Sequence, residues 1–520
     1  MREDRMMGED LIQFYKEKIK KEWKIAFLAA FLGCLLVHIF KFTNTLPNHD
    51  SLFNVYADQN VIGSGRWFLQ YACGISSYFD LPWVNGLLCA VYLGLTAAIV
   101  AETLDMQNPV VIVLSSLVLV TTISTTETLF FEFTADGYLL ALMMCALAAY
   151  LGCKGNRWYH YTIGGMCICL SLAVYQAYLS FAVVLSVCYL VIHMLNEGMD
   201  AKAAWKWIGK NIVIYGAAMA GYFVLWKLIL AVTGIPANDY QGISEVGTLR
   251  LTTILSGAVE SVKNLLLFFL EWNILEHPIT LYAVLNILFL LCFVFIVIAA
   301  IVKSGIWKKK AVFLTLLVCL IACVPVISIW RFLSDGVQYR PMMMHSVSLL
   351  YILAIVLFDK WACKRTSTAF GLLIALICFN CSVMANISYF YLDKCYERSN
   401  YMGSQMMERI VQVQEEYGEE IESIAFIGNR AHEVALINSA QGNKIPLLGS
   451  VIETDFLYDH THAYLYMCNT YNLGLPAVSY EDRQALAATD AVRNMDVWPV
   501  KDSVKIVDGV LVIKLADSAK

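Results

Sequence analysis

The chain has 520 residues, 59% hydrophobic and 15% charged, with a mean hydropathy of +0.61 and a formal net charge of −5. Soluble domains carry about 25% charged residues, so the composition excludes an ordinary soluble globular protein and defines an integral membrane protein. The signs of charge are sorted along the chain rather than mixed, and no nucleic-acid partner is expected.

Met1 to Lys24 reads as a basic amphipathic segment ending in Lys16, Lys18, Lys20, Lys21 and Lys24, which the positive-inside rule assigns to the cytoplasm. The segment is too long and too charged before its apolar run, and lacks an A-x-A exit, to be a cleaved signal peptide, so a retained first helix is expected. A crossing helix needs about 20 apolar residues. Windows near that length recur at 23–42, 82–101, 109–126, 136–152, 161–175, 177–194, 211–232, 280–302, 311–330, 342–358 and 367–390, which makes eleven spans. The windows 161–175 and 177–194 meet at Tyr175-Gln176-Ala177-Tyr178, a tight hairpin with no loop of its own. With eleven crossings, the segments assigned to the cytoplasm hold about 19 Lys and Arg and the opposite loops about 5, a bias that one added or deleted span would destroy.

An odd number of spans sends the C-terminus outside. The expected organisation is a cytoplasmic segment over 1–22, a multi-span domain over 23–390 and a small extracytoplasmic α/β domain over 391–520. In the last of these, Glu397 to Tyr417 has helical spacing at Met402, Met406, Ile410 and Val413, Ile421 to Gly428 reads as a strand, and Ser479 to Thr489 reads as a helix. Apolar alternation from Val504 to Ile513 around Asp508-Gly509 predicts a hairpin. There is no internal repeat and no low-complexity tract.

Of the sixteen cysteines, most lie inside apolar runs, where Cys acts as a small hydrophobe. No C-x-x-C has metal spacing, so no zinc site is expected. A divalent ion could bridge an acid and a phosphate, but no ligand set argues for one, and no cofactor is expected.

The charged groups that this topology collects on the outer rim are the site candidates. The polar interruption from Phe42 to Leu81 carries Asp50 and Asp58, then Gly65-Arg66-Trp67. The next loop carries Glu127, Glu132 and Asp136. A later one holds Asp239, Glu245, Arg250, Glu271 and Glu276, and the last holds Arg331, Asp335 and Arg340. Carboxylates can activate a hydroxyl, and arginines can grip a phosphate through two parallel hydrogen bonds. Each residue also has a plainer reading. Asp50 could cap a short interfacial helix and Asp136 the fourth span, Asp58 could be a solvated loop acid, and Arg66-Trp67 an interface anchor. Arg331 and Arg340 could snorkel, as Lys41 and Lys227 are expected to do. His49 could assist Asp50. Two stretches, Gly65 to Tyr78 and Thr248 to Phe269, have the apolar spacing of helices lying in the membrane surface.

The loop NHDSLFNVYADQNVIGSGRWFLQYACGISSYFDLPWVNGLLCAVYLGL, with FEFTADGYLLALMMCALAAYL and LSLAVYQAYLSFAVVLSV, resembles the bacterial Gtr-type family, the O-antigen glucosyltransferase II group, over about residues 20–390. The resemblance implies a multi-span enzyme similar to the GT-C glycosyltransferases, located in the cytoplasmic membrane of a bacterium. Such an enzyme uses a polyprenyl-phosphate sugar, a hexose such as glucose in this group, and an acceptor polysaccharide or glycolipid at the outer face. It implies Asp50 as general base, Asp136 as a second catalytic acid and Arg66 on the G-R-W arginine. Asp58, Trp67, Glu132, Arg331 and Arg340 complete the expected substrate contacts. Displacement in one step would invert the anomeric centre. Two other classes stand beside this reading: a transporter or flippase, which would show mid-span charges and paired broken helices, and a receptor acting through its C-terminal domain.

Overall fold

The computed structural model describes residues 17, 19–238, 251–270, 280–332, 336–417, 421–430 and 455–517. Most of the basic N-terminal segment, the residues Asp239, Glu245, Arg250, Glu271, Glu276 and Asp335, and the start of the helix expected from Thr248 lie outside the described residues. By internal packing the chain divides into two units, one of Met1–Asn44 and Ala57–Asn386, the other of Thr45–Tyr56 and Ile387–Lys520.

The first unit is helical. Its elements are α1 (Lys21–Thr43), α2 (Pro82–Thr103), α3 (Pro109–Thr121), α4 (Ile123–Phe130), α5 (Glu132–Lys154), α6 (Trp158–Leu172), α7 (Leu179–Glu197), α8 (Ala201–Thr233), α9 (Leu251–Leu270), α10 (Leu281–Ser304), α11 (Lys310–Ile327), α12 (Ser348–Trp361) and the first part of α13 (Lys364–Tyr417). Ten of the eleven apolar windows each fall mainly on one helix, and the window 109–126 falls across two, α3 and α4. Among the described residues, nine helices are long and apolar enough to cross a membrane, ten if the bent pair α3 and α4 is one span. That count includes α9, which the sequence reads as interfacial. It omits α6 and α12, which have 15 and 14 residues.

The pair α3–α4 bends by 40° at Thr122, whose backbone is extended (φ −58°, ψ 151°). The chain there reads Thr121-Thr122-Ile123-Ser124-Thr125-Thr126, and the Thr125 hydroxyl donates to the carbonyl of Leu119 at 2.7 Å. A side-chain hydroxyl that satisfies a freed carbonyl makes such a break tolerable inside a hydrophobic bundle.

Small residues let α1 and α2 approach closely, as is usual where helices pack without a hydrophobic drive between them. A Cβ at Gly86 would stand 2.3 Å from the Phe42 ring, and one at Gly94 2.8 Å from Phe27. Gly86→Leu is expected to force α1 off α2 and lower stability by about 1–3 kcal/mol, seen as a lower melting temperature of purified protein in detergent. A melting curve identical to wild type would show that this contact is not tight.

One end of the bundle gathers lysines onto acids and helix C-terminal carbonyls. Lys20 pairs with Glu102 at 2.6 Å and Lys154 with Asp105 at 2.5 Å, while Lys210 donates to Gly152 O at 2.8 Å and Lys303 to Trp361 O at 2.6 Å. The ammonium groups thus sit where carbonyls without helical partners carry partial negative charge.

The second unit is a small α/β domain with β1 (Ser423–Ile427), α14 (His460–Tyr471), α15 (Tyr480–Ala487), β2 (Val504–Val507) and β3 (Val510–Lys514). The sheet order is β1-β3-β2, with β1 parallel and β2 antiparallel to β3. The β2–β3 turn is the predicted Asp508-Gly509 pair, both at positive φ (51° and 76°), as a two-residue hairpin turn of matching twist requires. Met406, Ile410 and Val413 on the later part of α13 are buried against Ile424, Phe426, Phe456 and Met467, and Leu52 joins the same core.

Candidate functional site

Lys41, in the last turn of α1, is 2% exposed and forms an ion pair with Glu132, the first residue of α5. The sequence reads Lys41 as snorkelling to the membrane surface. The structure instead buries its ammonium, because a carboxylate from a helix 91 residues later receives it. Asp136 follows Glu132 by one turn on the same face of α5 and is 1% exposed. Asp136 caps no helix, as α5 begins four residues earlier; its Oδ1 accepts the Gly137 amide at 2.9 Å, and Oδ2 has no hydrogen-bond partner. Glu132 Oε1 is likewise buried without a partner, and the Asn85 side chain donates to the Glu132 carbonyl at 3.0 Å.

Asp80, two residues before the start of α2, completes the group. Burial outweighs the opposing pull of the Lys41 charge and holds its carboxyl above the usual range. Glu132 and Asp80 therefore share one ammonium, and Asp136 adds its negative charge beside both. The positive end of α5 supplies a further field of the right sign, and the arrangement can hold a proton or engage donors such as sugar hydroxyls. Sequence reasoning missed Asp80, although an acid immediately before Leu81-Pro82 marks the point where the chain re-enters an apolar helix.

The other side of α5 carries an arginine anchor. Positions 136 and 138 lie about 200° apart around a helix, so Tyr138 faces away from Asp136. The Arg66 Nη1 donates to the Tyr138 hydroxyl at 3.2 Å, and the guanidinium lies 5.0 Å from the centre of the Tyr175 ring, which stacks on Tyr138 at 4.4 Å. Gly65, at φ 82°, turns the backbone so that its carbonyl accepts the Tyr222 hydroxyl at 3.0 Å. Gln176 binds the same turn. Its side chain donates to Ser64 O at 3.1 Å and to the Tyr222 hydroxyl at 3.0 Å, and its own carbonyl accepts the Trp330 indole at 2.7 Å. The Tyr175-Gln176 hairpin is thus the hub that fixes the G-R-W loop. Tyr138 and Tyr222 gave no sequence signal beyond ordinary aromatic residues in spans.

A third buried group lies at α4. Glu127 is fully buried, its Oε2 accepts the Met342 amide at 2.6 Å, and Oε1 has no partner. The adjacent Thr128 hydroxyl is 3.0 Å from His345 Nε2, and the charge of exposed Arg340 acts on Glu127. Arg331 sits half-buried in the short turn Ile329–Phe332, whose carbonyl approaches the Gly257 position on α9 to 3.2 Å from a Cβ built there. Asp58 is exposed, and its Oδ1 accepts the Asn60 amide at 3.0 Å, the local turn of a solvated loop acid. Trp67 packs edge-on to Phe68 at 6.1 Å.

Asp50 belongs to the second unit, whereas Asp136 and Arg66 belong to the first. Asp50 is the second residue of a 3₁₀ turn, His49–Phe53, and the cap is Asn48, which exchanges hydrogen bonds with Ser51. The Asp50 side chain is therefore left half-exposed, 3.6 Å from His49 Nε2. Among the described residues no three His, Cys, Asp or Glu side chains are arranged to hold a metal ion.

A polytopic helical bundle with carboxylates and a lysine buried among its helices, and a half-buried loop arginine anchored on its tyrosines, defines a membrane protein with a polar working site. The family Glucosyl transferase GtrII matches residues 39–358, well over half of the chain, and the protein belongs to that family. At the level of that family it is a membrane glucosyltransferase. No curated protein and no solved structure matches the chain.

Proposed function

We propose that the protein transfers glucose from a polyprenyl-phosphate carrier to a hydroxyl of a cell-surface polysaccharide or glycolipid. The transfer takes place at the outer face of the cytoplasmic membrane of a bacterium. The acceptor oxygen attacks the anomeric carbon, the bond from that carbon to the phosphate oxygen breaks, and the lipid phosphate leaves with its charge. The hydroxyl proton passes to a carboxylate. One displacement inverts the anomeric centre.

The observation that carries this reading is Arg66. In a chain of the glucosyltransferase family, a guanidinium held by Tyr138 and Tyr175 is preorganised for a phosphate. Asp50 is the proton acceptor in this reading, supported by its half-exposed carboxylate, which is free of any capping duty. Asp136 is a second acid, and Arg331 and Arg340 are further phosphate contacts. The lysines gathered at one end of the bundle support a cytoplasmic placement of that end.

The test is to incubate purified protein with a panel of polyprenyl-phosphate sugars and with a nucleotide-linked glucose, scoring release of the lipid phosphate. Consumption of polyprenyl-phosphate glucose is expected. Consumption of the nucleotide sugar alone would overturn the proposed donor. Arg66→Lys keeps the charge but loses the planar fork, and is expected to raise the KM for the lipid donor about tenfold; an unchanged KM would release Arg66 from the phosphate.

A further inference from the structure

The family match ends at residue 358 and leaves Ile387–Lys520 without a role. Yet Thr45–Tyr56, which lies inside the match and carries Asp50, packs with those residues as one unit. The attachment is specific. Leu52, 6% exposed, is part of the core formed with Met406, Phe456 and Met467. The Asn469 side chain on α14 donates to the Leu52 carbonyl at 2.8 Å. His462, two turns earlier on the same face of α14, meets the Phe53 ring edge-on at 5.3 Å and the His49 ring at 6.5 Å. The residues on either side of Asp50 are therefore each set against α14.

His462 is itself fixed. Its Nδ1 is 2.9 Å from Asp459 Oδ1, and its Nε2 is 2.9 Å from the Tyr458 hydroxyl. Burial raises the Asp459 carboxyl, but the hydrogen bonds from His462 outweigh it and hold the group below the usual range. An ionised Asp459 accepts the Nδ1 proton, which leaves Nε2 to accept from Tyr458. Both ring nitrogens are engaged, which holds the imidazole in one orientation.

We propose that the C-terminal unit is a working part of the transferase: α14, through His462 and Asn469, sets the position of the Asp50 carboxylate, with His462 a positioning residue. The proposal rests on the reading of Asp50 as proton acceptor. A displacement of about 1 Å at a reacting group can cost about 100-fold in rate. In full-length purified protein with polyprenyl-phosphate glucose as the donor, His462→Ala and Asn469→Ala are each expected to lower kcat about 10–100-fold with KM within about twofold of wild type. In an Asp50→Asn background the same changes should cost nothing further, because groups that act as a unit are not additive. Lys505→Ala, exposed on β2, is the control and keeps the wild-type kcat. Asn469→Ala removes a single hydrogen bond, so it tests the idea even if His462→Ala fails to fold. Wild-type kcat in Asn469→Ala, or an equal further loss in the Asp50→Asn background, would overturn the proposal. A wild-type protein that leaves the lipid donor intact would instead overturn the proposed function.

Discussion

Asp50→Asn is expected to lower glucosyl transfer by about 10²–10⁴-fold, the range that a positioned general base contributes, while the protein still folds and inserts. The substitution keeps the volume and removes only the basic oxygen. Nothing structural depends on that oxygen: the cap of the His49–Phe53 turn is Asn48, and the Asn54 side chain bonds the Asp50 backbone carbonyl, not its carboxylate. A half-exposed group with no such duty changes stability by about 0.5 kcal/mol or less. Donor consumption and the melting temperature, measured on the same preparation, separate the two effects. Retained transfer would remove Asp50 from the role. The companion variant Asp136→Asn ranks the carboxylates. Its site is buried and already short of positive charge, so losing one negative charge relieves repulsion with Glu132 and Asp80. Loss of transfer in Asp136→Asn with full transfer in Asp50→Asn would move the proton acceptor to α5.

What the sequence discloses of this fold follows from the solvent its helices face. A crossing needs about 20 apolar residues, so most of the windows are visible without any knowledge of their neighbours, but α6 and α12 fall short of that length and α9, long and apolar enough to cross, reads as interfacial. The Asp508-Gly509 turn is visible for a similar reason, since its backbone demands are local. The break at Thr122 is not, because threonines in an apolar run are compatible with an unbroken span, and only the Thr125 to Leu119 hydrogen bond marks the bend. The site is legible as a set of residue types and not as an arrangement. Lys41 near the end of a span reads as snorkelling until Glu132 is placed against it. Arg66 is conspicuous in G-R-W and Tyr175 in its hairpin, but Tyr138 and Tyr222, which help to hold the loop, come from other helices and look like ordinary aromatic residues. The least legible feature is the seat of Asp50, since Leu52 and Asn469 are 417 residues apart.

Lys41→Met should be the most destabilising single change at the acidic cluster, by about 3–5 kcal/mol, the cost of stranding a buried charge without its partner. Methionine fills the space of the lysine stem, so cavity formation contributes little and the measurement isolates the charge. With the ammonium gone, Glu132 at 5% exposure and Asp80 lose their counter-ion, with the charge of Asp136 still beside them. The N-terminus of α5 favours an acid in its first turn by only about 0.3–1 kcal/mol, far short of the loss. The double variant Lys41→Met, Glu132→Gln removes both charges of the pair, so it should recover most of the stability, since replacing both partners costs far less than removing one. Denaturation of the three purified proteins in one detergent forms the cycle. A Lys41→Met protein that unfolds with the wild type would mean that the cluster already holds enough protons to need no lysine. A double variant no more stable than the single one would mean that Glu132 has a second task, such as meeting the asparagine and acids around it through the proton it can carry.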